Sequence, residues 1–230
     1  MPVPPEPPEH RARRLDIAWI EMSLLRLEPL QHDIKDLERL QYPTYGPEDE
    51  GDDNAMDTAE VVQEYMREYF DCVFYVNARD NGLDCTPYLT LNCPHDKFRR
   101  RPLIENKEKG RINWYVSAMS EIPEVPHLKC MVLENVNGNE NLLNRGALLC
   151  ICQVMLKVYG SSAYVKNVVM PMVIISLMGV SHGRILLAHH DGSNLVIRKT
   201  ELFDLRYKNI PALRTMLRWW GSDATGNTAT

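Results

Sequence analysis

The sequence predicts an α/β protein with a central mixed sheet, a crossover helix and flanking helices, preceded by a helical N-terminal arm. Three observations carry this expectation. Lys129 to Val136 is an apolar run closed by Asn137-Gly138-Asn139, the pattern of a buried strand followed by a turn and a helix cap. From Leu143 the apolar residues Ala147, Cys150, Ile151, Val154 and Val158 recur at spacings of three and four, up to Gly160. That spacing lines one face of a helix that stops at a glycine. Finally, Met172 to Met178, Arg184 to His189 and Leu195 to Leu202 are apolar runs separated by Gly179-Val180-Ser181-His182-Gly183 and by Asp191-Gly192-Ser193. Both separators are turn sequences, so the unit reads strand, crossover helix, strand, hairpin. Val132, Ala147, Ile151, Val154, Ile174 and Leu186 are expected to share one core.

The remaining elements follow in chain order. Met1 to Glu9 holds five prolines and reads as an extended, disordered leader. Leu15 to Leu27 has helical rhythm and is broken by Pro29, after which Pro29 to Gln41 predicts a second helical piece. Tyr42 to Asn54 carries Glu48, Asp49, Glu50, Asp52 and Asp53 among Pro and Gly, so it reads as a solvated linker. Asp57 with Glu60 resembles a capping box, and Val61, Val62, Tyr65, Met66, Tyr69 and Phe70 form an apolar stripe expected to be core. Cys72 to Ala78 and Tyr88 to Cys93 predict strands around Asp80-Asn81-Gly82, and Ile112 to Met119 predicts another. Ser120 to Pro126 is a Pro-punctuated connection. Pro211 opens a last helix, with Leu213, Met216, Leu217 and Trp220 on one face and Gly221 at its end. The organisation expected is a leader, arm and acidic linker over 1–54, an α/β core over 55–222, and a flexible tail over 223–230.

Composition bounds the function. A chain with 44% hydrophobic and 25% charged residues is an ordinary globular protein. Its formal net charge of -5 argues against broad electrostatic capture of nucleic acid. No secretory pattern is visible in Met1 to Glu9, and the uncharged run Asn167 to Ser181 falls short of the ~20 residues that span a bilayer. Cys72, Cys85, Cys93, Cys130, Cys150 and Cys152 sit mostly in apolar contexts, which fits reduced packing residues. The expected location is intracellular, cytoplasmic or nuclear, with no membrane partner.

The commonest enzyme motifs are missing. The chain contains no Gly-x-x-x-x-Gly-Lys-Ser/Thr, Gly-x-Gly-x-x-Gly or His-Glu-x-x-His, and its one Gly-x-Ser-x-Gly string, Gly179 to Gly183, is the turn between two strands and not a strand-to-helix elbow. Cys150 and Cys152, two apart on a helix, point about 200° from each other and read as packing residues. His189-His190-Asp191 places two imidazoles and a carboxylate at a hairpin end, although strand alternation sends the histidines to opposite faces. His190, Asp191 and Asn194 before an apolar strand also resemble the His-x-Asp and Asn of kinase-like phosphotransferases, with two residues between Asp and Asn where those enzymes have four. Arg99, Arg100 and Arg101, with Lys107, Lys109 and Arg111, form a basic concentration that could hold phosphates, but it reads first as a solvated loop balanced by Asp96, Glu105 and Glu108.

From the Asp57 helix onward, the order helix, strands, the Lys129 to Val136 strand, crossover helix and further strands resembles the core of the PD-(D/E)XK nuclease superfamily, the restriction-endonuclease-like fold. The stretch Gly183 to Ser193 also resembles the nuclease-like domain that precedes kinase-like regions in some fungal proteins. The resemblance covers roughly Asp57 to Arg206. It implies an Asp on one strand and a Glu-x-Lys on the next holding Mg2+ or Mn2+, which activates water against a phosphodiester. Glu134 stands where that Glu would be and Gln153 where a helix polar group would be. Val136 occupies the Lys position, and Ile112 to Met119 supplies no Asp. The expectation is therefore a non-catalytic interaction module without a cofactor, with a protein as first partner and nucleic acid as second. The alternative is a metal-dependent nuclease whose further ligands come from Glu105, Asp96 or Asp191.

Overall fold

The computed structural model describes residues 8–25, 31–33, 55–57, 59–67, 70, 89–92, 103–106, 111–122, 125–179, 181–226 and 228. The first helix, α1, is Pro8–Leu25. It begins inside the expected leader because proline is tolerated in a first helical turn, where its missing N–H has no partner to lose. The strands are β1 Gln31–Asp33, β2 Leu89–Asn92, β3 Ile104–Asn106, β4 Ile112–Ile122, β5 Val125–Asn137 and β6 Leu142–Asn144. Helix α2, Arg145–Tyr159, follows, then β7 Met172–Gly179, β8 His182–His190, β9 Leu195–Lys199, β10 Phe203–Asp204 and helix α3, Ile210–Gly221. Residues 55–57 and 59–67 are also helical.

The main sheet has the order β10-β8-β7-β5-β4-β2, with β3 also beside β4 and β9 beside β8. Neighbours are antiparallel except β5 and β7, which run parallel. A parallel pair needs a crossover, and α2 supplies it.

Alternation along the strands divides the interior in two. Cys130, Val132, Ile174 and Leu186 face α2 and Ile17 of α1. Met131, Leu133, Ile175, Leu177 and Ile185 face Met56, Ala59, Met66 and Phe70, together with Leu213, Met216 and Trp220 of α3. The six residues expected to share a core all lie in the first cluster. Helix α2 is buried on nearly every side, because the sheet lies beneath it and α1 covers it. His10 and Arg13 fasten that cover: His10 Nε2 lies 2.5 Å from the Asn167 carbonyl, its ring meets Tyr159 edge-on, and Arg13 donates to the Val168 carbonyl.

Several expectations change. Gln31–Asp33, expected helical, pairs with β6 as a two-stranded sheet. Val61 and Tyr65 are exposed while Met66 and Phe70 are buried, so the true stripe is offset around the helix. Strand β3 was not predicted. The Ser120 to Pro126 connection is mostly strand, as β4 runs to Ile122 and β5 starts at Val125. In the β7–β8 turn the positive φ belongs to Ser181, at 54°, and not to a glycine. Gly179 and Gly183 serve close packing instead: a Cβ on Gly179 would lie 2.3 Å from the Ala55 Cβ, and one on Gly183 would lie 2.8 Å from the Met216 Cε. Within the tail, the Thr225 carbonyl accepts from His127, and the Thr228 carbonyl accepts from the backbone N–H of Val168. Cys72 to Ala78, the Asp80-Asn81-Gly82 turn and the Tyr42 to Asn54 linker lie outside the described residues.

Candidate functional site

The site centres on Glu134, near the C-terminal end of β5 and only 1% exposed. Register sets its neighbours: Glu134 pairs with Trp114 on β4 and Met178 on β7, and Trp114 in turn pairs with Glu105 on β3. Cross-strand partners share a face, so Glu105, Trp114 and Glu134 form one row looking toward α2.

Both Glu134 oxygens are engaged. Oε1 accepts from the Ser176 hydroxyl at 2.5 Å, and Oε2 accepts from the Ala147 N–H at 3.1 Å. Ala147 is the third residue of α2, whose N-cap Asn144 makes no capping bond with its own side chain. The strand carboxyl thus does the work of an N-cap side chain, satisfying one of the orphan donors of the first turn. The Asn144 side chain is turned elsewhere, donating to the Met178 sulfur at 3.3 Å and contributing a hydrogen bond to Glu134. Burial holds the Glu134 carboxyl above its ordinary value of 4.5, outweighing the bonds from Ser176, Ala147 and Asn144 and the field of Arg184, all of which favour the charged form.

The helix comes this close to the sheet because residue 146 is glycine. A Cβ there would lie 2.6 Å from the Trp114 Cβ and Cγ and 2.8 Å from Glu134 Oε2. Glu105, the other acid of the row, accepts from Trp114 Nε1 at 3.0 Å and from the Arg145 guanidinium. The indole stands between the two carboxyls, two strands or about 9–10 Å apart at the backbone. Arg184, 2% exposed, anchors the approach to α2 by donating to the Leu142 carbonyl at 2.9 Å and to that of Asn139. Its Nε has no partner among the described residues, and burial lowers its pKa against the fields of Glu140 and Glu134.

The structure does not bring Gln153 to Glu134. Glu134 reaches the first turn of α2, and Gln153 lies six residues beyond Ala147, about 9 Å along the axis. Its Oε1 has no hydrogen-bond partner among the described residues. Among the described residues no Lys or Arg forms an ion pair with Glu134; a hydroxyl and a backbone amide take its two oxygens. Among the described residues no group of three or more His, Cys, Asp or Glu is arranged to hold a metal ion. Of the basic set, Arg99, Arg100, Arg101, Lys107 and Lys109 lie outside the described residues, as does Asp96, and Arg111 is exposed. His190 is buried and its Nδ1 accepts from the Gly192 N–H at 3.1 Å, while Asp191 accepts from the N–H groups of Ser193 and Asn194, so both organise the hairpin turn.

Sequence reasoning missed Ser176, Asn144, Arg184, Arg145 and Gly146. The available signal was a lone serine and a lone arginine inside otherwise apolar strands, since a polar side chain in such a run must find a buried partner. Among the described residues no helix is long and apolar enough to cross a membrane. Comparison with protein families, curated proteins and solved structures gave no match.

Proposed function

We propose that this chain is a non-catalytic interaction module on a degenerate nuclease-like α/β core, with a protein as its first partner class and nucleic acid as the second. The observation that carries the reading is the state of Glu134: both its oxygens serve the fold, one holding Ser176 and the other capping α2. A hydrolytic metal site needs clustered carboxylates with oxygens free to bind the ion. Here the strand positions flanking Glu134 carry Trp114 and Met178. The order helix, strands, β5, α2, β7 supports the likeness to the PD-(D/E)XK core, and the loss of its ligands supports a binding role that needs no metal.

The second reading, a metal-dependent nuclease with a rearranged carboxylate site, draws on Glu105 and Glu134 sharing one row. Titration calorimetry with Mg2+ and Mn2+ on the intact chain and on Glu134→Gln separates the two, alongside cleavage assays on DNA and RNA. The module reading expects no specific metal binding in either protein. Tight binding that the variant loses, together with cleavage, overturns it.

A further inference from the structure

We propose that the outer face of α3 and the loop before it form a docking surface for an acidic protein segment. This deepens the interaction-module reading and rests on it.

The chain is acidic overall, yet no Asp or Glu occurs between Leu205 and Ser222, where Arg206, Lys208, Arg214 and Arg218 fall. Asp204 already binds Arg206, at 2.6 Å. Lys208, Arg214 and Arg218 are exposed and make no ion pair among the described residues. Helical spacing puts Pro211, Arg214 and Arg218 on one side of α3, while Leu213, Met216 and Trp220 are buried against the sheet. Two exposed large aromatics flank these residues along the chain: Tyr207, before the helix, is 83% exposed, and Trp219, in its last turn, is 36% exposed. The nine residue-to-residue steps from Ile210 to Trp219 rise about 14 Å along the helix.

Tyr, Trp and Arg are the side chains that carry most binding energy in protein interfaces, and arginine takes carboxylates in a two-pronged bond. The shape also favours a protein segment. A helix face is convex, whereas single-strand binders track a nucleic-acid backbone along a groove. A polyanion longer than this patch would run onto the remainder of a protein of net charge -5, and a short acidic segment would not. Insertion into a membrane would need an apolar outer stripe, and the apolar stripe of α3 is already buried. The surface lies on the opposite side of the sheet from Glu134.

The test is fluorescence anisotropy on the full chain, using a labelled peptide of about twelve residues that alternates Glu and Asp with Leu and Phe. An oligothymidylate of the same length and phosphatidylserine vesicles serve as rival probes. The peptide is expected to bind, with affinity falling as salt rises. Arg214→Glu with Arg218→Glu should weaken it about tenfold or more, and Trp219→Ala about tenfold, with circular dichroism unchanged. Absence of peptide binding, or tighter binding of the oligonucleotide or vesicles, overturns the proposal. Peptide binding that charge reversal leaves unchanged refutes the α3 surface and leaves the module reading standing. Metal-dependent cleavage of nucleic acid refutes the module reading, and the peptide result then judges the surface alone.

Discussion

Replacing Glu134 by glutamine removes an ionisable group while keeping its shape. The amide oxygen can accept from the Ala147 N–H, and the amide nitrogen can donate to the Ser176 oxygen, so the packing has little reason to change. What changes is the pH dependence. Because burial raises the Glu134 pKa above 4.5, the folded protein holds a proton there that the unfolded chain has released. Its contribution to stability is therefore complete below about pH 4.5 and is lost as the pH rises through the folded-state value. Inside that window the loss runs at one proton's worth, ~1.4 kcal/mol per pH unit. Urea denaturation followed by tryptophan fluorescence, repeated in steps from pH 4.5 to 8, should show Glu134→Gln gaining on the natural protein as pH rises. Glu134→Leu should instead lose stability throughout, roughly 1–3 kcal/mol, since the Ala147 N–H and Ser176 hydroxyl lose their acceptor. A stability difference between Glu134→Gln and the natural protein that stays constant with pH would show that the carboxyl ionises as freely in the fold as in water.

Gly146→Ala should destabilise by roughly 1–3 kcal/mol, despite alanine's higher helix propensity, because its Cβ meets Trp114 at 2.6 Å; thermal melting checks it, and an unchanged melting temperature would sink the close-approach argument. Ile151→Ala empties part of the α2-side core and should cost roughly 2–5 kcal/mol in chemical denaturation. Lys129, buried on β5, donates to the Trp220 carbonyl at 2.7 Å and the Ser222 carbonyl at 2.5 Å. Burial, opposed by Asp223, lowers its pKa from 10.5 to about 8, so stability should rise between those values as the unfolded chain keeps a proton the fold has shed. Lys129→Met should lack that rise, and equal pH slopes in the two proteins would refute the assignment.

Periodicity in the chain already contains much of this architecture. The rhythm of Ala147, Ile151 and Val154 set helix α2, and the apolar runs at Met172 and Arg184 set β7 and β8 with bounds close to those observed. Such patterns report which face of an element is buried, a property of neighbouring residues, so they survive without knowledge of the fold. Short elements escaped for the same reason. Ile104–Asn106 is too brief to show a period, and Gln31–Asp33 is extended because it pairs with Leu142–Asn144, not because of its composition.

The candidate site belongs to the other kind of information. Glu134 could be singled out as a carboxylate in an apolar strand, but its partners lie at Ala147, thirteen residues on, and at Ser176, forty-two residues on. Nothing local to β5 says whether that carboxyl meets a metal, a cation or a helix end. Folding decided it by laying α2 across the sheet at Gly146, close enough for the strand side chain to cap the helix and for burial to oppose its ionisation. A sequence states which residues must leave water; only the packed chain states which polar groups they meet there, because desolvation and hydrogen bonding depend on contacts made across the whole fold.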